Sequence, residues 1–356
     1  MNGLAKPFVV GTAIVLPLLG MAIASANAGE SAEITALAAA VARGRAALDP
    51  QAWQRPFPAN GEPGRAEEAY WRANAAARRG DWDAAFLAIA AGARRRDTWP
   101  ELPWTTGNAR QLTDDALSQV AERFRSRFDA HCAAGRLDEA VALVQATLTF
   151  GVDLTHRPFP VEWSIGGRVV GTCVEAIEGQ LLPNCDATQQ RTLAALAADV
   201  DAWADPALDA RLVQLFYAQR IVDGDEHVIA WTHRAWVPMW RGTAQRGAAV
   251  AKLEYLAAIA PLGTTATLAW PQREAALRRA DEGLEAWERA WRQHLTHLRL
   301  LRLRLAYLLG EAPPELQDPL GSGPIRQHIA GDEAAFTATG AACRVVRTPA
   351  APAPGR

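Results

Sequence analysis

The sequence predicts an all-α fold, built mainly from antiparallel helical hairpins, with a small β-hairpin near the C-terminus. Alanine, leucine and arginine dominate the composition while β-branched residues are sparse, which favours helix. Apolar residues recur at steps of three and four through most of the chain. Proline and glycine become frequent only after Gly310, where the helical pattern stops and two short strands are expected.

The first 28 residues have the pattern of a secretory signal peptide. Lys6 is their only charged side chain, an apolar run covers residues 8–24, and Ala26-Asn27-Ala28 offers small residues to a signal peptidase. We therefore expect a mature chain that begins at Gly29 and works outside the cytoplasm, in the periplasm or as a secreted protein. An uncleaved membrane anchor is the alternative, since about 17 apolar residues suffice for the shortest spanning helices.

Composition excludes some partners and suggests the domain plan. The formal net charge of −2 at pH 7 argues against a nucleic-acid partner, because phosphate binding needs a basic face. We expect the chain to contact a membrane only if its N-terminal segment is not cleaved. After the signal peptide at 1–28, the predicted regions are an α-helical domain at 29–310, a Pro/Gly link and β-hairpin at 311–345, and a disordered tail at 346–356.

Two helical hairpins are predicted after a weak amphipathic helix. Gly80 and Asp81 separate the helices of the first hairpin, as a left-handed stop and an N-cap. Thr113 caps the second hairpin and Gly135 marks its turn. The predicted bounds are 31–48 for the amphipathic helix, 49–63 for a loop, 65–79 and 82–96 for the first hairpin, and 113–134 and 137–151 for the second.

The two hairpin turns share a local pattern. In Ala77–Ala85 and in Cys132–Ala140, a glycine is followed two residues later by a large apolar residue, then Asp, then Ala two later. This pattern resembles the turn of tetratricopeptide-type hairpins. The two glycines lie 55 residues apart, whereas a regular array repeats after about 34. The sequence therefore predicts two related hairpins, with two ordinary αα-hairpins as the alternative.

The second half of the body is also predicted to be helical. The expected helices cover residues 161–182, 186–203, 206–222 and 226–236, with a continuation to about 260 after an interruption at Pro238. A heptad seam follows over 277–308, which either packs within the chain or forms a dimeric coiled coil. Its members are Leu277, Ala280, Leu284, Trp287, Trp291, His294, Leu298, Leu301, Leu305 and Leu308.

The end of the chain carries a recognisable order of motifs. They are the Leu/Arg-rich stretch 298–309, Pro313-Pro314-Glu315-Leu316, the run from Asp318-Pro319 to Pro324-Ile325-Arg326, Gly331-Asp332 and Phe336. This order resembles a group of uncharacterised exported bacterial proteins, which implies an architecture but no activity. The Asp-Pro-x-x-Gly-x-Pro turn also looks like the C-terminal hairpin of type II secretion pseudopilins, but the Gly-x-Asp-Gly ending and N-terminal methylation site of that family are missing.

Four cysteines lie in the mature part, where an oxidising compartment would permit disulfides. Cys173 and Cys185 are expected to be too far apart along one helix to pair. A Cys185–Cys343 bridge is expected instead, because both lie outside helices. Cys132 and Cys173 fit buried thiols on helical apolar faces.

Candidate sites are few, and no cofactor or metal is predicted. Glu162, beside Trp163, suits a glycosidase-type acid, although such hydrolysis needs a second carboxylate. His294 and His297 lie three apart but lack a third ligand, so a core histidine is the preferred interpretation. The acidic turn from Asp223 to His227 lacks calcium-loop spacing. Trp231, Trp236 and Trp240 are candidates for a surface that binds glycans or peptides, although packing in the grooves between helices is the preferred interpretation.

Two functions follow from these features. We expect a non-enzymatic protein-interaction or scaffold module of the cell envelope, whose partner is another envelope protein. The alternative is an envelope hydrolase or lyase that acts on a glycan through a carboxylate such as Glu162. A groove with two carboxylates within about 10 Å of each other would favour the enzyme, and an exposed apolar surface would favour binding.

Overall fold

A computed structural model divides the chain into two units, the first formed by residues 1–48 and 214–263 and the second by 49–213 and 264–356. The structure describes residues 35–44, 61–97, 112, 116–157, 159–206, 208–209, 212, 215, 219, 271–272, 274–275 and 282–346. The predicted signal peptide, the helices predicted between 226 and 260, and the tail from residue 347 lie outside these residues.

The described residues are mostly helical, with a small antiparallel sheet at the C-terminus, as the sequence predicts. In the first unit, helix α1 covers residues 35–44 and buries Leu37, Ala40 and Val41. The helices of the second unit are α2 (Ala66–Arg78), α3 (Trp82–Ala93), α4 (Val120–Ala133), α5 (Leu137–Thr155), α6 (Pro160–Ala176), α7 (Ala187–Trp203) and α8 (Glu282–Leu308). None of these described helices is long and apolar enough to cross a membrane.

The two predicted hairpins, α2–α3 and α4–α5, are present and turn where glycine permits it. Gly80 and Gly135 adopt φ values of 75° and 68°, which residues with a Cβ atom rarely reach. Asp81 caps α3, because its side chain accepts a hydrogen bond of 3.0 Å from the Ala84 amide. The α3 helix of the first hairpin then packs on α5 of the second.

Helix α5 is one turn longer than predicted, because Gly151 does not stop it. Gly151 faces Gly166 of α6, where a Cβ atom on Gly166 would collide with the Gly151 carbonyl oxygen and lie 2.9 Å from Thr155 Cγ2. The glycines therefore allow two helix backbones to approach closely. The extra turn carries Asp153 and Thr155 into the interior of the unit.

A short parallel strand pair corrects the prediction of a loop at 49–63 and of a helix to residue 96. Strand β1 (Glu62–Arg65) pairs with β2 (Arg95–Asp97), so α3 ends at Ala93. Glu62 draws the two segments together, since its carboxylate lies 3.2 Å from Arg94 Nε and 3.5 Å from Arg95 Nη2. This long-range ion pair leaves no periodic signal in the sequence.

Helix α8 carries the heptad seam, and its described part packs within the chain. The seam residues Trp291, Leu298, Leu301 and Leu305 are buried, and α8 contacts both α6 and α7. Arg299 and Arg302 bind the buried Asp201 of α7, with 2.7 Å between Arg299 Nε and Asp201 Oδ1. Leu277, Ala280 and the Leu284 side chain lie outside the described part.

A second face of α8 supports the C-terminal sheet, which has three strands instead of the predicted two. Strands β3 (Arg326–Ala330), β4 (Glu333–Ala338) and β5 (Ala341–Val346) are antiparallel, with β4 in the centre. Phe336 of β4 is fully buried and meets Tyr307 of α8 edge to face, with 6.5 Å between ring centroids. Strand β5 lies between the second predicted strand and the Pro-rich tail, where the sequence predicts no strand.

The Asp-Pro-x-x-Gly-x-Pro turn is organised by Asp318. Its carboxylate accepts hydrogen bonds from the Leu320 amide at 3.0 Å and from the Thr339 amide and hydroxyl at 2.7 and 2.8 Å. A Cβ atom on Gly321 would lie 2.6 Å from Asp318 Oδ2, so glycine is needed there. The turn therefore joins the link after α8 to the loop between β4 and β5.

Replacing Gly166 with Ala tests the close approach of α5 and α6. We expect the free energy of unfolding to fall by about 2 kcal/mol, because the new methyl group meets backbone rather than a flexible side chain. Gly179→Ala is the matched control, since nothing lies within 4 Å of a Cβ atom there. Its stability is expected to stay within about 1 kcal/mol of the wild type. Equal effects of the two changes in chemical denaturation would contradict the close packing.

Candidate functional site

The last turn of α5 and the residues just after it form an unusual concentration of buried polar groups. Asp153, Thr155, His156 and Arg157 are each at most 2% exposed. Their partners come from α2, α6, α8 and the segment that follows α7. We call this group, together with the partners Tyr70, Glu162, Asp209 and Trp291, the polar core.

Tyr70 of α2 provides the first contact. Its hydroxyl donates a hydrogen bond of 2.5 Å to Asp153 Oδ2, and its ring meets Phe150 edge to face at 4.7 Å. Gly92 of α3 leaves room for this ring, because a Cβ atom there would clash with it. The hydrogen bond therefore ties the first hairpin to the end of α5.

His156 and Asp209 form the second contact. His156 Nδ1 lies 3.1 Å from the Val152 carbonyl oxygen and 3.4 Å from Asp209 Oδ1, and the imidazole stacks on Trp203 with 4.4 Å between centroids. The indole of Trp291 donates to Asp209 Oδ2 at 3.0 Å. A fully buried carboxyl group is thus held between a histidine and a tryptophan.

The electrostatics of Asp209 favour its neutral form. Burial raises the pKa of the Asp209 carboxyl well above its usual value, and the negative charges of Asp205 and Glu288 raise it further. Hydrogen bonds from Thr155 and Trp291 oppose this shift without outweighing it. Folding therefore favours the protonated form of this carboxyl group.

Glu162, the sequence candidate for an acid catalyst, is held in a buried ion pair. Its side chain is fully buried, and Arg157 Nε donates to Glu162 Oε2 at 2.5 Å. The Leu112 amide donates to Glu162 Oε1. Arg157 also lies 3.6 Å from Glu67 of α2 and 5.5 Å from the centroid of Phe159. Both carboxylate oxygens therefore bind groups of the chain itself.

His294 lies in the interface between α8 and α6. Cβ atoms on Gly167 and Gly171 would come within 3.2 and 2.6 Å of its ring, so these glycines make space for it. Burial lowers the pKa of His294 to about 4. Within the residues that the structure describes, no group of three or more His, Cys, Asp or Glu side chains is arranged to hold a metal ion.

The structure has all four cysteines as free thiols, so it shows no Cys185–Cys343 bridge. Cys343 faces α8, where its sulfur lies 3.9 Å from the Leu300 carbonyl oxygen. Burial raises the pKa of the Cys343 thiol, and the charge of Glu178 contributes to the increase. Cys185 instead lies beside the α4–α5 turn, where it senses Asp186, Cys132 and Asp138. Both cysteines lie outside helices, but this position in the sequence does not show that Cys185 and Cys343 have different neighbours in the fold.

The tryptophan surface predicted at Trp231, Trp236 and Trp240 lies outside the described residues, as does the acidic turn at 223–227. A different exposed apolar position emerges on the first hairpin. Leu87 of α3 is 71% exposed, more than the other large apolar side chains that the structure describes as exposed. The sequence pattern of α3 does not predict the exposure of Leu87, because its neighbours are the buried Phe86 and a half-buried alanine.

Arginine side chains of α4 contact the first residues of α3, the helix that carries Leu87. Arg127 of α4 pairs with Asp83, one turn before Leu87, and lies 5.7 Å from the centroid of Phe86. Arg123 lies 5.6 Å from the centroid of Trp82. Leu87, Trp82, Asp83, Arg123 and Arg127 are called the Leu87 surface below.

Comparisons with known proteins add no relative. No family model, no curated protein and no solved structure matches this chain. The resemblances to tetratricopeptide hairpins and to exported bacterial proteins therefore stay predictions.

Replacing Asp209 with Asn tests the protonation of the polar core. Because the folded pKa is raised, the wild type loses stability as pH rises above the unfolded pKa of about 3.9 towards the folded value. Asn keeps the shape of the neutral carboxyl and has no proton to lose. We expect the stability of the variant relative to the wild type to increase as the pH rises from 4 to 8, with the smallest difference near pH 4.

Chemical denaturation between pH 4 and pH 8 measures this difference. Asp332→Asn, at an exposed turn between β3 and β4, is the control and should show no such trend. A variant that loses stability at pH 7 would show instead that Asp209 is ionised and paired with a protonated His156.

Proposed function

We propose that this chain is an exported, non-enzymatic interaction module of the cell envelope, which presents its first helical hairpin to a partner protein. The Leu87 surface is the observation on which the proposal depends. Leu87 is 71% exposed, so a partner that covered it would gain the burial of a large apolar side chain.

The surroundings of Leu87 suit a protein interface. Tryptophan and arginine are the residues most enriched among side chains that dominate binding energy. Trp82 and Arg123 lie against each other at the start of α3, and Arg127 contacts Asp83 and Phe86 of the same helix. Side chains that are already ordered lose little entropy when a partner binds, which supports affinity.

The polar core supports the same proposal from the other side of the hairpin. The Tyr70–Asp153 hydrogen bond holds α2, and the packing of α3 on α5 holds its partner helix. The hairpin that carries Leu87 is therefore anchored to the interior of the unit, and a rigid surface favours a defined partner.

The enzymatic alternative depends on Glu162. A general acid needs a proton and an open side facing the substrate, whereas both Glu162 oxygens bind Arg157 and the Leu112 amide. We therefore assign Glu162 a structural role in this proposal. Glycan release by the purified mature chain, lost in a folded Glu162→Gln variant, would overturn that assignment.

Site-specific cross-linking tests the Leu87 surface in cells. A photoreactive residue at position 87 should give one adduct of discrete mass, because a specific partner covers that position. The same residue at Ala75, an exposed position of α2 on the same hairpin, is the control and should give none. The identified partner, once purified, should bind Leu87→Asp at least about tenfold more weakly, or about 1.4 kcal/mol, and bind Ala75→Asp normally.

The same cells test export through an intact-mass measurement. A mature form that starts at Gly29 is expected in the envelope fraction. Equal adducts at positions 75 and 87, or none at either, would contradict the interface, and a chain that keeps residue 1 in the cytoplasm would contradict export.

A further inference from the structure

Two of the four cysteines lie where the α4–α5 turn meets the connection from α6 to α7. Cys132 is in the last turn of α4, and Cys185 directly precedes Asp186, which caps α7. Both side chains are partly exposed, whereas Cys173 is fully buried. A reagent in solution can therefore reach Cys132 and Cys185.

Two hydrogen bonds hold these segments together on either side of the cysteines. Gln180 Nε2 donates to Asp129 Oδ1 at 2.9 Å, three residues before Cys132 and five before Cys185. Gln189 Nε2 donates to Asp138 Oδ1 at 2.7 Å, beyond both cysteines in each segment. The two segments that carry the thiols are therefore joined by a hydrogen bond before the cysteines and by another after them.

The electrostatic environment records the same proximity. Burial and, to a smaller extent, Asp186, Cys132 and Asp138 together raise the pKa of the Cys185 thiol to about 11. The two hydrogen bonds that join the segments place Cys132 and Cys185 on neighbouring parts of the fold, in keeping with this effect. Cys343, by contrast, faces Leu300, and the charges that affect the pKa of its thiol are those of Glu178 and Arg304.

We propose that Cys132 and Cys185 form an intramolecular disulfide when the chain meets an external disulfide, and that this bond locks the α4–α5 turn to the α6–α7 connection. The Cys132 thiolate attacks the external disulfide, which releases one thiol and leaves a mixed disulfide. The Cys185 thiolate then attacks the Cys132 sulfur and releases the second thiol. Two protons and two electrons leave the chain, and the external disulfide is reduced to two thiols.

The high pKa of Cys185 determines how this reaction depends on pH. The second step needs the Cys185 thiolate, whose fraction rises tenfold for each pH unit below its pKa. Closure is therefore expected to accelerate about tenfold per unit between pH 7 and pH 9. The opposite protonation, a thiolate at neutral pH, would give a rate that does not change over this range.

Oxidised glutathione and the purified full-length chain provide the test. After incubation, the intact mass should fall by two hydrogen atoms, two thiols should remain under denaturing conditions, and digestion should yield a Cys132–Cys185 linked peptide. The midpoint of thermal unfolding should rise on the order of 5 °C, because the bond closes a long loop.

Serine variants distinguish this bond from other pairings. Cys343→Ser should still close, whereas Cys132→Ser and Cys185→Ser should give only a mixed disulfide with glutathione. Four thiols after oxidation, or a linked peptide that contains Cys343 or Cys173, would overturn the proposal. Whether the chain meets an external disulfide in the cell depends on the proposed export. The experiment with purified protein depends neither on export nor on the Leu87 surface, so the disulfide proposal and the proposed function can fail separately.

Discussion

The ion pair between Arg157 and Glu162 is the constraint on which the rest of the second unit depends. Removing both groups from water costs several kcal/mol, and only close contact with further hydrogen bonds offsets that cost. Arg157 Nε lies 2.5 Å from Glu162, and the Leu112 amide serves the other carboxylate oxygen. Because Arg157 follows α5 and Glu162 opens α6, the pair fixes the corner between these two helices.

The other buried polar contacts extend from that corner. Asp153 reaches α2 through Tyr70, and His156 reaches Asp209 and, through it, Trp291 of α8. Polar groups at the end of one helix thus specify the positions of several others, since a displaced helix would leave buried donors or acceptors without partners. Such a body can present the Leu87 surface in a fixed orientation while its own ionisable groups are occupied in holding the fold.

Local chemistry made much of the fold predictable. Gly80 and Gly135 need positive φ, and Asp186 caps α7 through a capping box with Gln189, so these ends could be read from the sequence. Features that depend on distant residues could not. Gly151 looks like a helix stop but faces Gly166, the β1–β2 pair depends on Glu62, and the role of Glu162 depends on Arg157 and Leu112. The pairing of Cys185 with Cys343 also depends on residues that are distant in the sequence, and the structure shows both as free thiols.

A double-mutant cycle on the Arg157–Glu162 pair tests the central claim most directly. Arg157→Met keeps the aliphatic contact but leaves Glu162 without its cation, so the free energy of unfolding should fall by about 3–5 kcal/mol. The double variant Arg157→Met/Glu162→Leu should recover a large part of that loss, and Arg344→Met, at an exposed pair with Glu333, should lose less than about 1 kcal/mol. A loss below about 1 kcal/mol for Arg157→Met, or additive effects in the double variant, would contradict the claim that this pair fixes the corner between α5 and α6.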